Sequence, residues 1–420
     1  MTESASLLLR QCRLVHQSAD DPLVDIAIEH NRIAAIAPHL NITARQTLDL
    51  EGQLVSPPFV ESHIHLDSAL TAGQPRWNQS GTLFEGIDIW RDRKQSLTLK
   101  DVKARAIAAL KLQAQQGVLF VRSHADVSEA NLIALKALLE VREAVKDWIT
   151  LQVVAFPQDG IYSHPDNEAR MEEALKLGAD VVGGIPHYEL TREDGVRSVH
   201  RIFDLAERYD RLIDIHCDEI DDDQSRFLEV VAACAIHTGA GARVTASHTT
   251  AMGSYNNAYA FKLMGFLQRT ELNFIANPLI NITLQGRTDT YPKRRGVTRV
   301  KELWQSGLNV SLGHDCIQDP WYSLGTGNML DVASMAVHVC QMTGLDEINA
   351  CYDMVTRHGA KTLHLKDYGL EVGKVANLIV IDAADRYDAI CRRPAIRAVI
   401  SRGKVLSETA PAQIHWHGPA

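Results

Sequence analysis

The sequence predicts a closed eight-stranded α/β barrel, with a small β domain built from the two ends of the chain. Two observations predict the barrel: strand and helix patterns alternate with short connections, and the strand-like runs number eight. A third observation, β-rich stretches at both termini, predicts the second domain. A length of 420 residues accommodates both, since one such barrel takes about 250 residues as a single domain.

The elements follow in order. SLLLRQCRLV, PLVDIAIEHNRIAAIA and QTLDLEGQLVSP show alternating apolar positions, with an Asn-Arg turn in the second, and read as short strands. LVSPPFVESH reads as the first barrel strand. KDVKARAIAALKLQAQQG has helical periodicity and a Gly stop, and VLFVRSHADV then reads as a strand. The pattern repeats as EANLIALKALLEVREAV and WITLQVVAFP, DNEARMEEALKLG and ADVVGGIPH, RSVHRIFDLAERYDR and LIDIHCDE. It continues as SRFLEVVAACAIHTG and ARVTASHTT, NNAYAFKLMGFLQRT and LNFIANPLI, VTRVKELWQSG and LNVSLGHD. Alternation of this kind means parallel strands with crossover helices. A doubly wound open sheet would give the same local pattern; the count of eight favours the barrel. ANLIVIDA and AIRAVISRGKVL are β-rich again. The expected boundaries are residues 1–56 with 372–420 for the small domain and 57–371 for the barrel.

Composition narrows the function classes. Hydrophobic residues make 45% and charged residues 23%, which excludes disorder, collagen and a disulfide-dense miniprotein. The net charge of -9 argues against nucleic-acid and anionic-membrane partners, which need a basic surface. Seven cysteines without a C-x-x-C pair argue against a disulfide framework and for a reducing cytoplasm. No signal peptide and no run of about 20 apolar residues is read; MLDVASMAVHVCQMTGL, with Asp331 and His338, reads as a buried helix.

Polar residues collect where the strand runs end: His63 and His65, His124 and Asp126, Gln158, His187, His216 with Glu219, His248, and Asp315. In a closed barrel the C-terminal strand ends share one rim, so these residues would converge. Residues two apart on a strand point the same way, so His63 and His65 would hold one metal together. His216 and Asp315 complete an N₃O set suited to zinc or ferrous iron, with room for water. Taken singly, His216 reads more commonly as a core histidine, and Asp315 reads as a helix N-cap, but neither reading explains why these groups all fall at strand ends. Glu219 is a candidate proton carrier, His248 a candidate for orienting the water, and Gln158 a donor and acceptor for an amide-like edge. A second His-x-His, His415-Trp416-His417, follows no long apolar strand and reads as a solvated tail.

PPFVESHIHLDSALTAGQPRWNQSGTLFEGI, AFPQDGI, IDIHCDEIDDDQSRF, ARVTASHTTAM, NPLINITLQGRTDTYPKRRGVTRVKEL and GHDCIQDPWY resemble the bacterial cytosine deaminases of the amidohydrolase superfamily, over nearly the whole chain. The resemblance implies a (β/α)₈ barrel with a small β-sandwich from both chain ends. It implies one Fe2+ or Zn2+ per subunit on His63, His65, His216 and Asp315. By the same resemblance Glu219 shuttles protons to the ring nitrogen, and His248 and Asp315 manage the protons of the attacking water. Gln158 and the backbone at Leu83 hold the pyrimidine, and Trp321 packs near the pocket. Homo-oligomers, often hexamers, are implied too, as is hydrolysis of cytosine or 5-methylcytosine to uracil or thymine and ammonia.

The chain departs from the family pattern after Asp315. Cytosine deaminases usually carry an acid there, and this chain has Cys316; an aromatic two positions on is Gln318 here. Cysteine behaves as a small hydrophobe, so the pocket would accept a C5 substituent, and 5-methylcytosine becomes a candidate substrate. The bland alternative is a neutral replacement. Other readings are a deaminase of another heterocycle such as isoguanine, isocytosine, a purine or a pterin, or a two-metal cyclic-amide hydrolase. The latter commonly needs a lysine at a strand end, and none is found. A metal-free binding barrel predicts missing ligands, and the unrelated zinc deaminase fold needs a C-x-x-C that the chain lacks.

Overall fold

The structure is a computed structural model that describes residues 4–18, 20–410, 412 and 415–418. Its strands are β1 Ser4–Leu14, β2 Val24–Glu29, β3 Arg32–Ala37, β4 Thr43–Asp49, β5 Leu54–Ser56, β6 Phe59–Ile64, β7 Val118–Asp126, β8 Thr150–Phe156, β9 Val181–Gly184, β10 Leu212–Cys217, β11 Val244–His248, β12 Asn273–Ala276, β13 Asn309–Leu312, β14 Leu378–Ile381, β15 Ile396–Ser401 and β16 Lys404–Glu408. The chain divides into two compact units, residues 59–113 with 118–366, and residues 1–58 with 114–117 and 367–420.

In the terminal unit the sheet runs β16-β15-β14-β5-β1-β2-β3, with β4 also on β1. Strands from the two ends of the chain meet where β14 pairs antiparallel with β5. One face buries Leu7, Leu9, Ile26, Ile28, Val55, Leu378, Val380 and Ile400 in a single cluster. Leu8 and Ala27, which alternate with these residues, are buried with Ala5 in a second cluster, so the sheet is covered on both faces there.

LVSPPFVESH, expected as one strand, is two. Pro57 and Pro58 have no N–H to give to a ladder, so pairing stops between them and the flanking residues. β5 joins the terminal sheet and β6 opens the barrel. LNFIANPLI also divides: β12 ends at Ala276 and a helix Pro278–Leu284 begins with proline at its first position, where a missing N–H costs nothing.

β6 to β13 pair in sequence order, and every pairing is parallel. β6, β7, β9, β11, β12 and β13 are buried at every residue, as parallel strands covered on both faces require. The eight-strand reading therefore stands. The ring closes through a parallel bridge from Ile64 to Asp315. The His65 N–H donates to the Asp315 carbonyl (3.0 Å) and the Asp315 N–H to the His63 carbonyl (2.8 Å). MLDVASMAVHV forms the helix Met329–Val339, with its apolar side buried. No described helix is long and apolar enough to cross a membrane.

Candidate active site

The bridge that closes the barrel also sets the site. It ties the His63-Ile64-His65 segment to Asp315, so three candidate ligands are placed by two main-chain hydrogen bonds. No helix starts at Asp315; the next one begins at Met329, which removes the helix-cap alternative. Asp218, His248 and Asp315, each at a strand end, have φ of 52°, 67° and 70°. Left-handed backbone at non-glycine residues is costly and clusters at functional rims, where the surrounding structure enforces it.

The side chains converge. His63 Nε2 lies 3.6 Å and His65 Nε2 3.5 Å from Asp315 Oδ1. His65 Nε2 and His216 Nε2 face each other at 3.1 Å. All four residues are buried. Burial, followed by the crowding of neighbouring imidazoles, holds His63, His65 and His216 well below the ordinary histidine range, so they are neutral. Burial first, then the neighbouring Glu219 charge, pushes the Asp315 carboxyl up. Neutral imidazoles and a carboxylate crowded in a dry site suit a cation, which would relieve the cost of burying an ionised carboxylate. His63 Nε2 is buried with no hydrogen-bond partner among the described residues and points at this space, which fits that reading.

His248 stands beside this set. Its Nε2 is 3.7 Å from Asp315 Oδ2 and its Nδ1 3.3 Å from Glu219 Oε1. The Asn281 amide donates to Nδ1 at 3.0 Å and fixes the ring. Burial raises the Glu219 carboxyl well above the usual range, favouring its protonated form. Glu219 is thus distinct from the acidic residues around it: Asp218 caps the start of the helix Phe227–Thr238 through Phe227 and Leu228 N–H, and Asp222 and Asp223 are exposed.

A small cavity opens over these groups. His65, His216, Glu219, His248 and Asp315 line one part, with Gln158 beside them. Leu83, Ile185, Ile280, Leu284, Cys316 and Trp321 line the rest. Leu83 begins the helix Leu83–Lys94, which Thr82 caps by accepting from Glu85 N–H. On that helix Gly86 lies against Trp321: a Cβ there would come within 2.3 Å of the indole. Cys316 packs with Ile87, Trp90, Ile280, Leu284 and Trp321 in one apolar cluster, and burial pushes its thiol pKa up, leaving it uncharged. Gln318 is exposed, donates to the Gly325 carbonyl and does not line the cavity.

The other strand-end residues divide. His124 is buried against His63, ring centres 4.0 Å apart, and so sits among the ligands without being one of the four expected. Asp126 accepts from Trp90 Nε1 (2.9 Å) and Lys94 Nζ (3.1 Å), tying down the helix that carries Leu83. His187 lies on the short turn Pro186–Tyr188 and does not line the cavity. His415 and His417 are exposed, and Trp416 between them is 76% exposed. Sequence reasoning missed Asn281, Arg122, Asp214 and Ser247, all buried near these histidines. A signal existed for two of them: Asp214 and Ser247 are polar residues inside apolar strand runs.

Comparison with known proteins identifies the family. A structure of 5-methylcytosine deaminase from Klebsiella pneumoniae liganded with 5-fluorocytosine is similar to this chain with a TM-score of 0.94 and 48% identity, covering 97% of this chain and 99% of that one. N-isopropylammelide isopropyl amidohydrolase from Pseudomonas sp. (strain ADP) is 29% identical over 413 residues, 97% of this chain and 98% of its own. Pterin deaminase from Rhizobium rhizogenes is 27% identical over 92% of this chain and 88% of its own. The amidohydrolase family model matches residues 46–407, a span that takes in all eight barrel strands and the whole rim of histidines and carboxylates. By that match, and by the barrel whose closing bridge gathers His63, His65 and Asp315, the chain belongs to the amidohydrolase family.

Proposed function

We propose that this protein hydrolyses the exocyclic C–N bond of a free pyrimidine base, releasing ammonia from cytosine or 5-methylcytosine. The observation that carries the reading is a buried Glu219 3.3 Å from His248, facing one small cavity together with His65, His216, Asp315 and Gln158. His63, His65, His216 and Asp315 would hold one divalent ion per subunit, Fe2+ or Zn2+. Such an ion lowers the pKa of a bound water to about 7 and so supplies a nucleophile at neutral pH. Gln158 has both a donor and an acceptor for the amide-like edge of the ring. Glu219 delivers a proton to the ring nitrogen next to C4 as water adds there. Asp315 takes a proton from the water, which His248, held by Asn281, orients, and passes it to the amino group, which leaves as ammonia, while the proton remaining on the added oxygen returns to Glu219 as the C4 carbonyl forms. Trp321 and Leu83 wall the ring from solvent.

Cys316 sets the finer preference. It is a small, uncharged residue in an apolar wall, and a methyl group at C5 would fill space that an acid would hydrate. A fitted methyl is worth about 10- to 200-fold in kcat/KM. Assembly as a homo-oligomer, a hexamer by resemblance, and a cytoplasmic place in pyrimidine salvage belong to the same reading.

The test is ammonia release by the metal-loaded protein from cytosine, 5-methylcytosine, 5-fluorocytosine, isocytosine and isoguanine. Turnover of cytosine or 5-methylcytosine supports the proposal, and 5-methylcytosine should match or exceed cytosine in kcat/KM. Activity confined to isoguanine, or none on any base, sinks it. A large preference for cytosine over 5-methylcytosine removes the role given to Cys316 alone.

A further inference from the structure

Beneath the candidate ligands lies a fully buried polar array. His63 Nδ1 is 3.1 Å from Ser247 Oγ, and the Ser247 hydroxyl donates to Asp214 Oδ1 at 2.6 Å. Asp214 Oδ2 accepts from Arg122 Nη1 at 2.9 Å. The guanidinium is held in turn: it donates to Thr245 Oγ1 (3.3 Å), Gln152 Oε1 (3.1 Å) and the Thr362 carbonyl (3.0 Å). His63, Ser247, Asp214 and Arg122 are all 0% exposed.

The directions of these bonds follow from chemistry. The Asp214 carboxylate only accepts, so the Ser247 proton points to it, and Ser247 Oγ is left to accept from His63. His63 must then carry its proton on Nδ1, which leaves the Nε2 lone pair free on the side of Asp315. A buried ion pair of Arg122 and Asp214 is expensive unless every donor and acceptor is used, and here three partners take up the guanidinium beyond Asp214 itself.

We propose that Ser247, anchored on Asp214 and Arg122, is a positioning residue that fixes the tautomer and ring orientation of His63 toward the metal. Outer partners of this kind commonly change metal affinity by about 10- to 100-fold when removed. The inference rests on the metal reading of the site but not on the identity of the substrate.

The experiment compares wild type, Ser247→Ala and Ser311→Ala. Ser311 is an equally buried barrel serine, bonded to the Phe274 carbonyl and Thr362 and to no candidate ligand. Zn2+ affinity is measured by competition with a chromophoric chelator, without substrate, and the metal-free proteins are melted in parallel. Ser247→Ala should bind Zn2+ about 10- to 100-fold more weakly, with a metal-free melting temperature like that of Ser311→Ala. Ser311→Ala should bind as wild type does. Equal affinity for Ser247→Ala and wild type overturns the proposal, and so does an equal loss in Ser311→Ala. A wild type that binds no Zn2+ instead defeats the metal reading itself.

Discussion

The chain contains the same three-residue pattern twice, and the two copies behave differently. His63-Ile64-His65 ends a buried strand, and its imidazoles face a carboxylate and other imidazoles across a closed ring. His415-Trp416-His417 is exposed and belongs to no strand. A candidate metal site is therefore made by placement more than by composition. The barrel contributes burial, which keeps the imidazoles neutral, and convergence, which brings Asp315 from a strand that ends some 250 positions away.

That contrast can be broken or sharpened by substitution. His63→Ala or His65→Ala should strip the metal and lower kcat/KM by about 10³-fold or more, since the ion accounts for several kcal/mol of transition-state stabilisation. His415→Ala with His417→Ala should change neither. Metal content by elemental analysis and steady-state kinetics decide it, and a comparable loss from the tail substitutions would break the contrast. Glu219→Gln keeps the shape of the side chain but removes the proton it gives. It should cost about 10²- to 10³-fold in kcat while metal content stays at the wild-type level. Loss of metal along with rate would make Glu219 a ligand instead. The smallest effect is chemical: brief diethyl pyrocarbonate treatment should modify His415 and His417 before His63 and His65, with activity intact, as peptide mapping would read. Early modification of the buried pair would mean that the rim is open.

Much of the molecule was legible from its residues, and the gaps have physical reasons. The eight strands were readable because parallel strands buried on both faces are continuous apolar runs, and their polar ends stand out. His63, His65, His216, Glu219, His248 and Asp315 were picked out by that position alone, before any resemblance, and the structure brings them together. Pro57-Pro58 was read through because apolar residues continue on both sides, whereas the missing N–H groups end the pairing. Arg122 was invisible for a related reason: arginine on a strand reads as surface, and only the closed ring brings it to Asp214. Asn281 carries no signal at all, being an ordinary polar residue on a short helix until His248 lies 3.0 Å away.

The seam at β5 and β14 has a consequence for synthesis. β1 to β5 leave the ribosome before the barrel, but their neighbours β14 to β16 are encoded more than 300 residues later. At about 5–20 residues per second the nascent chain spends roughly a quarter of a minute to a minute with the β5 edge unpaired. During that interval an apolar strand with free N–H and C=O groups is open to pairing with other chains. The terminal sheet is thus finished only when the last strands are made, and any premature stop after the barrel would leave a complete catalytic ring attached to an incomplete, aggregation-prone sheet.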